Sequence, residues 1–371
     1  MRTPFEAALR ACTFAVLLAV PALYTGAALA KDYILTAVKP NKLVIVDPDA
    51  LAVIKSITLK DGGPMPMNIV PTADGKMAYV LINKWETIVG IDLDSGAEVM
   101  RLNLSDETTR VKAMFGVDLS PDGTTLAVNE SPVKLLTHEY QVQPTRISFY
   151  DAKTGQLLHR AEAPRQMTLV MYSKDGSKLY GLGRQLYVFD AKTGKQIDAQ
   201  PTQNWGREGF YPTDILDVWS QWEQADVMAT PYYTARSDMD MADPTAYWTG
   251  LLTLDLETGE TAMKNMENTD IFYFSTAVNP VDKNIVYGAY TQLSKFDLGE
   301  GKPLKRVDLP HSYYAVNVST DGSKVFVGGA MGDIAIFDGE TLDMLGRISM
   351  PGEANMSVAA VRVINRDTPI E

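Results

Sequence analysis

Beyond Cys12 the sequence contains no cysteine, and Cys12 itself lies in a leader-like stretch described below. A chain of 371 residues can bury a large core without disulfide staples. Without a thiol of its own, the remainder cannot attach c-type haem or hold an iron–sulfur cluster or zinc through cysteine. Histidine is scarce too: His138, His159 and His311 share no metal-ligand spacing. His159 falls on an expected strand and reads as a packing or surface residue, while His311 sits in a loop beside Tyr313. Asp238-Met-Asp240-Met-Ala-Asp243 alternates acids but lacks the glycine and closing glutamate of a calcium loop, so it reads as a solvated loop. No Gly-x-Ser-x-Gly elbow, His-Glu-x-x-His pair or phosphate loop occurs. Basic runs are missing as well. With 34 basic against 46 acidic residues the net charge is −12, which argues against nucleic acid or an anionic membrane as a partner.

The one long apolar run is at the start. Arg2 and Arg10 precede and flank an apolar stretch at residues 14–20, Pro21 follows, and Ala28-Leu29-Ala30 is a small-residue cleavage site. That is the pattern of a secretory signal peptide cleaved near Ala30, too short and Pro-broken to span a bilayer. There is no twin-arginine pair, and Cys12 is too early for lipid attachment. Losing Arg2, Arg10 and Glu6 moves the balance to −13. A soluble periplasmic protein is expected.

What is present is repetition. DAKTG occurs at residues 151–155 and again at 190–194, with relatives DLETG at 255–259 and DLDSG at 92–96. Aspartates 47, 92, 151, 190, 255, 297 and 338 each end a short β-rich run, among them KLVIVD, RISFYD, QLYVFD and DIAIFD. The six intervals average about 48 residues, and seven such periods cover the chain beyond residue 30. A second landmark of Asp-Gly type precedes most runs, as in SPDGTTLAV, SKDGSKLYGL and STDGSKVFVG. Each unit therefore reads as strand a, tight turn, strand b, loop, strand c, Asp-x-x-Thr-Gly turn, strand d. Four short strands per repeat at this period indicate an all-β, seven-bladed β-propeller.

The expected blades are 33–59 plus 355–364, 67–104, 114–163, 168–201, 211–266, 273–309 and 313–350. The first lacks a strand a, and the stretch at residues 357–361 is a strand a without a unit, so pairing the two would close the ring. In such a ring the a–b and c–d turns share one face, and the b–c and d–a loops the other. The first set is terse. The second carries insertions at residues 133–145 and 235–248 and long d–a connections at 61–67, 105–114 and 202–214. Long loops on a rigid scaffold make that face the expected working surface. Trp205, Phe210, Tyr211, Trp248, Phe272, Tyr313 and Tyr314 fall in or beside it, near Arg165 and Arg207, and with His311 they are the candidate partner-facing or substrate-facing residues. For each ring the competing reading is that it plugs the channel or covers strand ends.

Propeller dehydrogenases that hold pyrroloquinoline quinone place Trp four positions after the Asp-x-x-Thr-Gly turn. Here those positions are Met100, His159, Asp198 and Met263, so the turns read as structural.

The first blade, KDYILTAVKPNKLVIVDPDALAVIKSI, and the last, YYAVNVSTDGSKVFVGGAMGDIAIFDGETLDMLGRISMPG, resemble the β subunit of quinohemoprotein amine dehydrogenase. The resemblance extends over essentially the whole chain beyond the leader. It implies a heterotrimer in which a dihaem cytochrome c α subunit and a small γ subunit bearing cysteine tryptophylquinone carry the cofactors. The propeller would hold none and supply no catalytic, cofactor-binding or metal-binding residue. A primary amine would leave as aldehyde and ammonia, with electrons passing through the α haems to a soluble periplasmic acceptor. The competing expectation is a stand-alone propeller, serving as a binding module or as a hydrolase or isomerase at its central channel.

Overall fold

The computed structural model describes residues 30–203, 207–216, 221–268, 271–356 and 360–370. The expected leader and Trp205 lie outside these residues. Seven antiparallel sheets stand in sequence order around an axis. Blade one combines Arg362–Arg366, Lys31–Val38, Lys42–Asp47 and Ala52–Thr58 from inside to outside. The C-terminal strand thus closes the ring, as expected. Its position differs, because pairing begins at Arg362 opposite Leu35 and runs to Arg366 opposite Lys31. Of the strand expected at residues 357–361, residues 357–359 lie outside the described residues, and the described strand carries Arg362 and Arg366.

Inner strands are buried on both faces, since each blade is sandwiched between neighbours. Leu43–Val46 and Ile334–Phe337 are accordingly runs of apolar residues with almost no exposure. Outermost strands are more open: Leu157–Glu162 and Gln196–Pro201 expose most of their side chains. Charged and polar residues on those outer strands discourage edge-to-edge pairing with other chains.

The two DAKTG copies have one geometry. Asp151 Oδ1 accepts from the Thr154 N–H and hydroxyl, both at 2.7 Å, and Asp190 Oδ1 does the same for Thr193 at 2.8 and 2.6 Å. Gly155 and Gly194 take φ of +70°, which L side chains rarely adopt. The Asp-Gly turns are equally uniform. Around Asp175, bonds from Ser173 and Ser177 hold the carboxyl down to about 2.

Two features depart from the repeat. Blade three's second strand, Thr125–Leu135, overshoots the ring, and blade five's connection between strands a and b is long. Blade five's strand b is Val227–Ala235, with Pro231 inside it. The Pro231 carbonyl accepts the Leu216 N–H at 3.1 Å, so the missing N–H faces strand a, which is only Asp214–Ile215. The ladder to Tyr247–Asp255 is intact, and that is why a proline is tolerated here. Among the described residues no helix is long and apolar enough to cross a membrane.

Candidate functional site

The loop-rich face carries three structures. The first is a ribbon. Beyond the ring, residues 131–134 pair with Thr109–Lys112, and residues 133–135 pair with Tyr140–Val142. Two insertions that read as separate loops, 105–114 and 133–145, are therefore one three-stranded object. Tyr140 and Val142 at its edge are 77% and 61% exposed.

The second is a continuous aromatic patch across blades five, six and seven. Phe272 stacks on Tyr233 at 4.8 Å between centroids and meets Phe274 and Tyr290 edge-on. Phe274 in turn contacts Tyr290 at 4.6 Å and Tyr314 at 4.7 Å. The Tyr233 hydroxyl donates to the Tyr273 carbonyl at 2.8 Å and accepts its N–H at 2.6 Å, which ties blade five to blade six beneath the rings. Phe272 remains 39% exposed. A rigid, half-exposed group of rings is the kind of surface that anchors protein interfaces.

The third lies beside it. The Arg207 guanidinium sits 3.7 Å from the Phe210 ring and donates to Asn265 and, at 3.4 Å, to the Tyr232 hydroxyl. Arg236 approaches the same ring at 5.3 Å, and Trp248 meets it edge-on at 6.4 Å. Tyr211 and Arg165 are exposed. Arg236 also forks onto Asp238, the first of the three aspartates of the acidic loop, and no group of three or more His, Cys, Asp or Glu among the described residues is arranged to hold a metal.

Not every candidate reaches the surface. Tyr313 is wholly buried, and its hydroxyl donates to Asp333 Oδ2 at 2.7 Å. His311 Nε2 lies 2.7 Å from the other carboxylate oxygen, and Arg347 donates to Asp333 at 2.8 Å. Burial raises the Asp333 pKa, but bonds from Arg347, Tyr313 and His311 outweigh it and bring the carboxyl below its ordinary value. This cluster locks the top of blade seven. The side chain offered to solvent is the neighbouring Tyr314. His159 stacks on Phe149 at 4.3 Å, as a packing residue should.

No family model matches the chain, and no curated protein matches it. Among solved structures it is similar to a chain of Kuenenia stuttgartiensis hydrazine synthase. That match has 14% identity and a TM-score of 0.57 over 84% of this chain and 90% of that one. It is also similar to the β-propeller domain of Myceliophteria thermophila Cps50 (Swd1), at 13% identity and a TM-score of 0.55 over 88% and 97%. The shared feature is the propeller. At these identities nothing chemical follows.

Sequence reasoning missed the channel. The a–b connection of blade five turns inward, where Gln221 bridges Ala277 of blade six and Gln224 donates to the Val363 carbonyl at 2.8 Å. Arg362 from the closing strand meets this segment, with Glu223 and Gln221 each at 2.6 Å and the Trp222 ring at 5.3 Å. Across the channel Asp118 is 7% exposed and, among the described residues, accepts backbone N–H groups from Tyr172 and Leu119. Burial, with the Glu223 charge adding to it, lifts its carboxyl to about 7 against those bonds and Arg362.

An acid raised on folding binds more protons in the folded state. Its contribution to stability therefore falls as pH rises from about 4 to about 7 and levels off above. Asp118→Asn should flatten that part of the profile. Between pH 5 and pH 8 the parent should lose on the order of 2–3 kcal/mol more stability than the variant, read from urea unfolding at the two pH values.

Proposed function

We propose that this chain is the cofactor-free propeller subunit of a periplasmic quinohemoprotein amine dehydrogenase. The observation that carries the reading is the ordered resemblance of the first and last blades, set on a ring whose loop-rich face presents a half-exposed aromatic patch. One further point supports it: no cysteine beyond Cys12 is available to hold haem.

In this reading the quinone of the γ subunit supplies the amine-oxidising chemistry, and the α haems take the electrons onward to a soluble acceptor. This chain seats the γ subunit against Phe272, Phe274, Tyr290 and Tyr314 and walls off its site. A closed wall excludes water that would compete with ordered chemistry. Phe210, held between Arg207 and Arg236, extends the contact toward blade five.

Purification from the native periplasm tests it. The chain should co-purify with a haem protein and a small partner, and once separated it should show no visible absorption band. A monomer that turns over a substrate unaided would replace this reading with a stand-alone propeller.

A further inference from the structure

The ribbon of blade three has one covered edge and one open edge. On the covered side the Thr109 carbonyl accepts the Asp106 N–H at 3.0 Å, and the Val111 N–H donates to the Ser105 hydroxyl at 2.9 Å. The open side is Tyr140–Val142. Gln143 donates inward to the Pro132 carbonyl at 3.0 Å, and the Leu136 N–H meets the Glu139 carbonyl at 3.0 Å. Bonded and unbonded pairs alternate along an antiparallel ladder, so Gln141, opposite Lys134, turns its N–H and C=O inward. Tyr140 and Val142 then turn theirs outward. Two donors and two acceptors stand in a row on an exposed edge that carries no charge. Such an edge is a template for another strand, which outer strands such as Leu157–Glu162 avoid with charged side chains.

A hollow of about 340 Å³ lies where this strand runs back into blade three through Gln143 and Pro144. Lys134, Arg146 and Arg160 line it against a single acid, Glu162. Both guanidiniums are anchored through Nε: Arg146 donates to the buried Glu130 at 2.6 Å and Arg160 to Ser148 at 3.2 Å. Among the described residues their Nη groups and the Lys134 ammonium have no hydrogen-bond partner. A guanidinium held from behind presents its remaining N–H groups to a carboxylate. Bulk charge does not explain the placement. The chain carries −12, and the hollows at the channel mouth and at the seam of blades one and seven hold more acids than bases.

We infer that the ribbon captures an extended acidic segment of another protein. The segment adds a further strand alongside Tyr140–Val142 and sets a carboxylate among Lys134, Arg146 and Arg160. Backbone bonds supply the grip, and charge selects the sequence. The edge is pre-formed. Arg110 pairs with the buried Glu86 at 2.5 Å, and the Ala113 N–H donates to the Trp85 carbonyl at 3.0 Å, so blade two braces the ribbon. A braced edge loses little freedom on pairing. A second copy of this chain fits less well, since its own edge brings a hollow of the same sign and only Glu139 to answer it. The ribbon lies on blade three, apart from the aromatic patch of blades five to seven, and the inference does not rest on the function proposed above.

Calorimetric titration of the full mature chain with a capped peptide alternating valine and glutamate tests this. The comparators are its lysine counterpart, a version with proline at alternate positions, and free glutarate. The acidic peptide should saturate with a Kd of about 0.1 mM. In its presence hydrogen exchange at the Tyr140 and Val142 amides should slow, while that at Gln141, already bonded inward, stays as it was. Val142→Pro removes an outward N–H without touching the inner ladder and should weaken binding about tenfold. Lys134→Gln combined with Arg160→Gln should weaken it by about the same factor, with both variants unfolding in urea as the parent does. No saturation up to about 1 mM would overturn the inference, as would equal binding of the lysine or the proline peptide. So would unchanged affinity in either variant, or glutarate binding as tightly as the acidic peptide, which marks a small-anion site only. A dimer in sedimentation that Val142→Pro abolishes would give the edge to a second copy and overturn it as well.

Discussion

Arg362→Ala is expected to destabilise the ring by about 3 kcal/mol or more, because it leaves Glu223 without its cation in a mostly buried site. The Arg362 side chain is 5% exposed. Besides Glu223 and Gln221 it donates to the Ile69 carbonyl at 3.0 Å and to Asn68 at 3.2 Å. One side chain therefore joins the closing strand, blade two and the inward segment of blade five. Its loss removes bonds across the seam on which closure depends, and the innermost strand of blade one is held by only five paired residues. The measurement is the urea midpoint of the variant against the parent. Replacing both charged partners, as Arg362→Met with Glu223→Leu, should recover much of the loss, since the penalty belongs to the orphaned charge. A loss below about 1 kcal/mol for the single variant would show that the seam is held by the backbone ladder alone.

Phe272→Glu is expected to abolish assembly while leaving the propeller folded. The ring is half-exposed and stacked on Tyr233, so the chain alone loses little by its removal. At the centre of an interface the same change strips an aromatic anchor and buries a charge, worth about 2–4 kcal/mol, or roughly 30-fold to 1,000-fold in affinity. Co-purification of the haem-bearing partner proposed above is the readout, with unfolding of the isolated chain as the control. Tyr140→Glu on the ribbon makes the comparison informative. If only the ribbon variant loses the partner, docking belongs to blade three and the aromatic patch serves another purpose.

Several features were readable from the residues because their causes are local. The Asp-x-x-Thr-Gly turn needs an aspartate to accept two bonds from a threonine three residues on, then a glycine at positive φ. All of that lies within five residues, and Asp151 and Asp190 do it identically. The period between such turns gave the blade count. The candidate functional face was legible only in outline. Phe272 and Tyr314 were named, but Phe274, Tyr233 and Tyr290 were hidden inside strand text, and nothing in the sequence distance between Tyr233 and Tyr290 says that they share one patch. Tyr313 went the other way. Beside Tyr314 in the chain, it turns inward to Asp333, because adjacent residues of an extended segment point to opposite sides.

The sequence alone determined the class of fold, the closed ring and the absence of thiol ligands beyond Cys12, since repeat length, turn chemistry and composition do not depend on what lies across the molecule. Only the tertiary structure decided where the ring closes, which two insertions join into one ribbon, and that a segment of blade five enters the channel to meet Arg362. Those outcomes rest on contacts between residues as far apart as Asn68 and Arg362. A polar side chain in an innermost strand looks like a fault in the pattern until the partner across the axis is seen.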